Sequence, residues 1–411
     1  MTFEETLHYL HELGESRMRL DLEPTQKLLD LLGRPDRSLR SVVVSGTNGK
    51  GSTCAFLTAI AKASGKRVGT YTSPHLTSPV ERIAIDGVPV DEATFAEVTS
   101  ELAALIARTN FGTITYFEFL TILAVLIFQR IGVDLAIFEV GLGGRLDTTN
   151  ALERVGTITT TIDYDHTAIL GTTLAEIARE KIAIVRESLP AVVGEQPLEA
   201  REKIFDFVAA LGARRIYLGT EFHGLGGWKT FRYRSTAYEV GPIELSLRGD
   251  HQVGNAACAV AMARELGLNA IEEGLRSAVH PARLERFMVR GKEVWLDVAH
   301  NPAAARRLTE FFRSEKLAPV DLVIGVLGDK DWKGITEALL PISKSVTLCK
   351  PNSSRAWEPA LVRSELGLVM NLPVCVVETP VNAFREVVER SERVLCTGSF
   401  YVVGEIRREL A

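Results

Sequence analysis

Cysteine is scarce in this sequence: Cys54, Cys258, Cys349, Cys375 and Cys396 make an odd total of five, with no C-x-x-C pair. That argues against a disulfide framework and against a cysteine-held zinc site. Positive charge is not in excess either, since 47 Lys and Arg stand against 52 Asp and Glu for a net charge of -5. No basic field of the kind that binds nucleic acid follows, and an acidic small substrate must be met by local cations. Long apolar runs are missing as well. The longest, Phe119 to Phe128, is interrupted by Thr121 and falls short of the roughly 20 residues a bilayer requires, so it reads as a buried helix. The opening MTFEETLHYL has no basic stretch followed by an apolar one, and a cytoplasmic protein without membrane contact is expected.

What is present is ordinary globular material. A length of 411 residues at roughly 150 per domain suggests two or three domains, and 46% hydrophobic residues suffice for more than one core. From residue 41 onward apolar runs alternate with helical patterns, as in βαβ units around a largely parallel sheet, so the fold class is α/β. Strands are expected at Ser41 to Ser45, Arg67 to Thr72, Leu135 to Val140 and Val155 to Ile162. Residues 219–249, Gly-rich and alternating, read as a small antiparallel insertion. A helix follows from about Val253 to Leu266. A second series of strands is expected at Val294 to Val298, Asp321 to Leu327, Val346 to Cys349, Val374 to Val377 and Val394 to Thr397. The expected division is 1–286 and 287–411.

The strongest motif is Gly46-Thr47-Asn48-Gly49-Lys50-Gly51-Ser52, between an apolar strand and a helix. Glycines let backbone N–H groups crowd a polyphosphate, the helix N-terminus adds partial positive charge, and Lys50 adds a full one. The common phosphate loop has Gly at position 44 and Ser or Thr at 51; here those positions hold Val44 and Gly51, so this is a variant nucleotide loop. Glu139 ends a strand ahead of Val140-Gly141-Leu142-Gly143-Gly144-Arg145-Leu146-Asp147. A dinucleotide fingerprint would need glycine at 146, whereas a carboxylate at a strand edge suits Mg²⁺. Ser73-Pro74-His75-Leu76 and Asp163-Tyr164-Asp165-His166 follow two further strands and converge on the same edge.

In the helix opened by Thr173-x-x-Glu176, the apolar face of Leu174, Ile177, Ala178 and Val185 also carries Lys181. Two readings stand: an amine snorkelling to water, or a desolvated amine open to carbamylation by CO₂, which would make it a metal ligand. Asn255, His280-Pro281-Ala282-Arg283, Asp297-Val298-Ala299-His300-Asn301-Pro302 and Thr397-Gly398-Ser399 complete the polar turns.

Together and in this order, GTNGKGS at 46–52, SPHL at 73–76, EVGLGGRLDTTN at 139–150, DH at 165–166 with EK at 180–181, and AHNP at 299–302 resemble the folylpolyglutamate synthase and dihydrofolate synthase family. That family is a branch of the ATP-dependent Mur-type amide ligases. The resemblance implies a phosphate-loop, Mur-ligase-like first domain with a smaller Rossmann-like second one, and an active monomer. It implies ligation of L-glutamate to the carboxylate of dihydropteroate, of folates, or of both, through an acyl phosphate; a family member acting on folates alone is the alternative. It further implies ATP contacts by Gly46 to Ser52, Asn255, Arg283 and Asp297, and Mg²⁺ ligation by Ser73, Glu139, His166 and a carbamylated Lys181. Tyr116, Phe117, Glu118, Leu146, Asp147 and Thr148 would line the pterin site, with His300 and Ser399 on the glutamate side. Lys50, Glu139, His166, Lys181 and His300 would carry the chemistry. Two positions depart from the family pattern, Ala282 and Val298, where glycine is usual. A cell-wall ligase is disfavoured because only about forty residues precede the loop strand, leaving no room for a UDP-binding domain. A nucleotide sensor would have no reason to keep Glu139, His166 and an inward Lys181.

Overall fold

The computed structural model describes residues 1–14, 19–109, 111–328, 330–353, 355–366 and 372–410. Its contacts divide the chain into two units: one of 1–74, 79–246 and 252–279, the other of 75–78, 247–251 and 280–411. The chain passes into the second unit at His280, a few residues ahead of the 286/287 division read from the sequence, and two short earlier segments belong there as well.

The first unit is built on an eight-stranded sheet of β1 (Ser41–Ser45), β2 (Val68–Tyr71), β3 (Ile83–Ile85), β4 (Val88–Pro89), β5 (Leu135–Glu139), β6 (Gly156–Thr159), β7 (Pro190–Val193) and β8 (Arg214–Tyr217). The order is β4-β3-β2-β5-β1-β6-β7-β8, with β2, β5, β1, β6, β7 and β8 parallel and β3 and β4 antiparallel at one edge. β1 reads Ser-Val-Val-Val-Ser with every position buried, as a strand covered on both faces requires. Register then places chemistry: Val44 lies beside Glu139 of β5, and Ser45 beside Thr159 of β6. The loop after β1 is therefore flanked by the ends of two neighbouring strands.

The apolar run at 119–128 lies in a helix, Tyr116–Ile131, opened by a reciprocal cap between Thr115 and Glu118 and stopped at Gly132 with φ +71. It joins β1, β2 and β5 in the main core through Phe119, Leu123 and Phe128 against Tyr71 and Phe138. A second core packs Ile177, Ile182, Ile204 and Val193 on the other half of the sheet. The insertion is a three-stranded antiparallel sheet of β9 (Phe222–Leu225), β10 (Phe231–Ser235) and β11 (Glu239–Ile243). In β10, Phe231 and Tyr233 are buried and Arg232 and Arg234 exposed, which is the alternation seen in the sequence.

The second unit has a six-stranded sheet of β12 (Glu285–Val289), β13 (Lys292–Leu296), β14 (Val320–Ile324), β15 (Ser343–Cys349), β16 (Val374–Val377) and β17 (Arg393–Thr397), in the order β12-β13-β17-β14-β15-β16. All neighbours are parallel except β12 with β13. β12 was not expected: its pattern of half-buried and exposed residues carries no apolar run.

Among the described residues no helix is long and apolar enough to cross a membrane.

The helix that follows the glycine loop, Lys50–Ala63, is held at its far end by backbone-close packing. A Cβ on Gly274 would lie 2.3 Å from Ile60 Cα and 2.5 Å from Ile60 N, atoms that cannot rotate aside. Overpacking of this kind costs roughly 1–3 kcal/mol or more. Gly274→Ala is therefore expected to lower the urea midpoint clearly, whereas Gly254→Ala, whose nearest neighbour is 3.9 Å away, is expected to leave it unchanged or higher.

Candidate active site

The loop after β1 is fixed by contacts that exclude side chains. At Gly46, with φ +138, a Cβ would meet Thr160 Oγ1 at 1.9 Å, and at Gly49, with φ +90, it would meet Asn255 Oδ1 at 2.2 Å. Only glycine fits either position. The amides of Thr47 and Asn48 donate to Thr161 O at 3.0 and 3.3 Å. Thr47 Oγ1 donates to Asp163 O and accepts from Asp163 N, both at 3.0 Å. The loop is thus stitched to the strand end that leads to Asp165 and His166. Gly49 caps the helix, so the first-turn amides of Lys50, Gly51 and Ser52 find no acceptor inside the helix. That is an anion-binding arrangement. Lys50 is half-buried and its Nζ donates to Thr47 O at 3.2 Å, so its cation is folded back over the loop.

Behind the loop, buried Gln252 donates to Ser52 Oγ at 3.3 Å and accepts from Asn255 Nδ2 at 2.9 Å. Asn255 therefore stands against Gly49, where the sequence placed a nucleotide contact. Gln252, three residues ahead of Asn255 in the first turn of the helix His251–Glu265, is given no role by the sequence alone.

Glu139 is 6% exposed, and its Oε2 accepts from Ser73 N at 3.1 Å. These two residues are brought together by the parallel pairing of β2 with β5. Lys181 faces inward as expected: it is 5% exposed, and its Nζ donates to Gly46 O at 3.0 Å. The helix Leu174–Ile182 carries it in its last turn, opened by the reciprocal cap of Thr173 and Glu176. His166 has φ +51, and its Nε2 lies 3.9 Å from Asp165 Oδ1 with the side chain one-third exposed. Among the described residues no three His, Cys, Asp or Glu side chains form a metal cage.

At the neighbouring helix start, Tyr116 and Glu118 are buried, and the Arg82 guanidinium lies 5.1 Å from the Tyr116 ring centre. Glu118 Oε2 accepts from Thr115 N and from Arg19, whereas its buried Oε1 has no hydrogen-bond partner among the described residues. Phe117 packs against Gly141: a Cβ there would lie 2.6 Å from the Phe117 ring. Asp147 is committed to its own loop, because its two oxygens accept from Gly141 N, Leu142 N, Thr149 N and Thr149 Oγ1 at 2.6–3.0 Å. Burial raises its pKa despite those bonds. Thr148 is buried and Leu146 half-buried in the same loop.

In the second unit, Asp297 Oδ2 accepts from Leu284 N and its Oδ1 from Ala299 N, both at 2.9 Å, joining the turn of Arg283 to that of His300. Burial raises the Asp297 pKa, with Arg283 opposing it. Ala282 is buried at φ +57, a left-handed conformation natural to glycine, and Val298 N donates to its carbonyl. The two departures from the family pattern thus meet at one backbone bond. His300 Nδ1 lies 3.0 Å from Val298 O, and both its ring and the Arg283 guanidinium flank Phe400. Ser399 is buried and its Oγ accepts from Val402 N at the start of the last helix.

A glycine loop on a central parallel strand, a buried carboxylate one strand away and a second α/β unit define a nucleotide-using enzyme of the phosphate-loop class. Two family models match the chain: the Mur ligase middle domain over residues 44–263 and the Mur ligase glutamate ligase domain over 282–400. The dihydrofolate synthase/folylpolyglutamate synthase of Bacillus subtilis is 30% identical over 431 residues, covering 99% of each chain. A longer relative, the probable bifunctional folylpolyglutamate synthase/dihydropteroate synthase of Haloferax volcanii, is 34% identical over 99% of this chain, which spans 50% of that protein. The structure of Mycobacterium tuberculosis folylpolyglutamate synthase complexed with ADP superposes with a TM-score of 0.93 at 31% identity, over 100% of this chain and 98% of that one. The bifunctional folylpolyglutamate synthase/dihydrofolate synthase of Yersinia pestis, complexed with AMPPNP and Mn ion, gives a TM-score of 0.90 at 30% identity over the same shares. The chain belongs to the folylpolyglutamate synthase/dihydrofolate synthase family of Mur-type ligases.

The second unit also makes a pH prediction. Removal from water, with Arg307 and Arg283 nearby, pushes the His251 pKa down to about 4, and burial beside Arg283 holds His280 well below its usual value. Both are neutral when folded and protonate more readily when unfolded. Their contribution is complete above pH 6.5 and is lost as pH falls towards 4. For His251 alone linkage gives at most about 2 kcal/mol by pH 5. Thermal melts between pH 7.5 and 5 should show a shallower decline in His251→Asn than in the parent; equal slopes would contradict it.

Proposed function

We propose that this chain is an ATP-dependent ligase that joins L-glutamate to the carboxylate of dihydropteroate and of folates, releasing ADP and phosphate. The observation that carries the reading is the convergence of the glycine loop, Lys50, Glu139 and inward Lys181 on one sheet edge. The orphaned Glu118 Oε1 a short way along the same unit supports a pterin site, since a carboxylate oxygen there would accept from a pterin N–H. Tyr116 and Phe117 would supply aromatic surface, Leu146 and Thr148 further lining, and Asp147 would hold that loop in shape. The enzyme acts as a monomer on this reading, as the family resemblance implies.

In the first step an oxygen of the substrate carboxylate attacks the γ-phosphorus, and the bond to the bridging oxygen of ADP breaks, leaving an acyl phosphate. Two anions must approach, and Lys50 with the first-turn amides of the loop lowers that repulsion. In the second step the glutamate amine attacks the acyl carbon, phosphate leaves and the amine proton is lost. Asn255, Arg283 and Asp297 would contact ATP; His300 and Ser399 would face glutamate.

A divalent ion fits this edge. Glu139, Ser73 and His166 offer few hard donors and no closed cage, which suits Mg²⁺ taking its other ligands from phosphate and water. When bound it would offset the phosphate charge. Lys181, with its amine against Gly46 O, would complete that donor set as a carbamate: the nitrogen keeps one N–H for the Gly46 bond while the group changes from cation to anion.

Steady-state phosphate release with ATP and Mg²⁺ tests the ligase reading. It should depend on glutamate, with dihydropteroate and tetrahydrofolate both accepted; release without glutamate would oppose it, and one active acceptor would restrict the substrate range. For Lys181, protein kept in ¹³C-bicarbonate should give a carbamate carbon signal that Lys181→Arg lacks. Lys181→Ala should lose most activity and regain part of it with acetate, and Lys181→Arg should stay inactive. Full activity in Lys181→Arg would remove the carbamate from the account.

A further inference from the structure

Arg154 is buried at 7% exposure, yet every acceptor its guanidinium reaches among the described residues is an amide oxygen. Its Nε donates to Leu152 O at 3.1 Å, its Nη1 to Asn150 Oδ1 and Ile184 O at 3.1 and 2.9 Å, and its Nη2 to Asn150 O and Leu152 O, each at 2.7 Å. Arg186 comes in beside it and shares partners, donating to Asn150 O and Oδ1 at 2.8 and 2.9 Å and to the carbonyls of Ala183, Ile184 and Val185 at 3.1–3.3 Å. Burial and the neighbouring Arg186 cation push the Arg154 pKa down to about 9. Glu153, Asp147 and Asp36 offset part of this from a distance, but two like charges side by side, one buried and one half-buried, with no carboxylate among Arg154's hydrogen-bond acceptors, are unfavourable unless something else gathers them.

What gathers them is the end of a helix. Residues 183–185 directly follow the helix Leu174–Ile182, whose last carbonyls lack helical partners and carry the negative end of its dipole. Residues 149–152 begin two positions after Asp147, whose carboxylate organises the Gly141–Leu142 backbone near Glu139. The two guanidiniums therefore pin the turn after Lys181 to the loop after Glu139. A second contact runs parallel to this clamp, because a Cβ on Gly144 would lie 2.7 Å from both Glu180 O and Lys181 O, and Arg145 N donates to Glu180 O at 2.8 Å. Only a planar fork reaches both Leu152 and Ile184 carbonyls while holding Asn150; an ammonium is a point donor.

We propose that Arg154 is a positioning residue: by locking residues 149–152 to the Ile184 carbonyl it sets where the last turn of the helix places Lys181 Nζ against Gly46 O. Its role in turnover rests on the ligase reading above; its structural half does not. Arg154 hydrogen-bonds to none of the residues read above as contacting ATP or folate, so its loss should affect the reacting geometry more than substrate affinity.

The test compares Arg154→Lys, which keeps charge but not the fork, with Arg154→Gln, the milder change should the first fold poorly. Each is assayed well below its own Tm, with activity expressed per folded molecule, and each is crystallised without ligand. Expected are a loss of about tenfold or more in kcat for Arg154→Lys, KM for ATP and for folate within threefold of the parent, and Lys181 Nζ displaced beyond hydrogen-bond reach of Gly46 O. A lowered Tm with kcat within twofold and the Lys181–Gly46 bond retained would overturn the proposal, as would full rescue by lysine. If the parent itself shows no glutamate-dependent turnover, the ligase reading fails, and the position of Lys181 in the variants still decides the structural claim.

Discussion

The bond from Lys181 Nζ to the Gly46 carbonyl is the point at which the first unit's site is tied together. Gly46 directly follows the central strand, its missing side chain admits Thr160 just past the neighbouring strand, and its carbonyl receives the amine of a helix residue 135 positions further on. A buried amine tolerates such a place only with an acceptor in reach, and a loop carbonyl facing inward needs a donor. Each satisfies the other. The loop can then turn its remaining amides to the helix start, where an anion is favoured.

From that contact outward the architecture follows a single logic: carboxylates near strand ends whose oxygens accept from backbone amides. Glu139 takes the Ser73 amide, Asp147 takes four donors of its own loop, and Asp297 takes two amides in the second unit. Carboxylates that accept from backbone amides are held in a fixed orientation. Chemistry that depends on placing charge against a polyphosphate gains from that rigidity, because the donors and acceptors need not reorganise when the reaction occurs.

Much of this was legible in the sequence because the signals were local. The strand Ser41–Ser45 and the glycine loop declare themselves by composition and spacing, the capping box at Thr173 sets the phase that turns Lys181 inward, and the alternation in Phe231–Ser235 announces an antiparallel ribbon. The contributions of Thr160, Gln252, Arg82 and Arg154 were not legible, since each depends on which distant backbone it meets. Arg154 sits 30 residues from the Ile184 carbonyl it holds, and nothing in Leu-Glu-Arg-Val marks its arginine as buried. Asp147, which the family resemblance places in the pterin site, also gives its carboxylate to four donors of its own turn, a local contact that a short Asp ahead of two threonines favours. The glycine preference at position 282 was recognised only as a pattern; the φ of +57 at Ala282 supplies its physical reason.

The central claim is that a carboxylate oxygen of the acceptor passes to phosphate during ligation. With dihydropteroate labelled with ¹⁸O in both carboxylate oxygens, single turnover with ATP and glutamate should release phosphate carrying one ¹⁸O and leave the other in the new amide. Amide formed with phosphate free of label, the lost ¹⁸O appearing instead in water or in AMP, would contradict the acyl phosphate and the reading of the site built upon it.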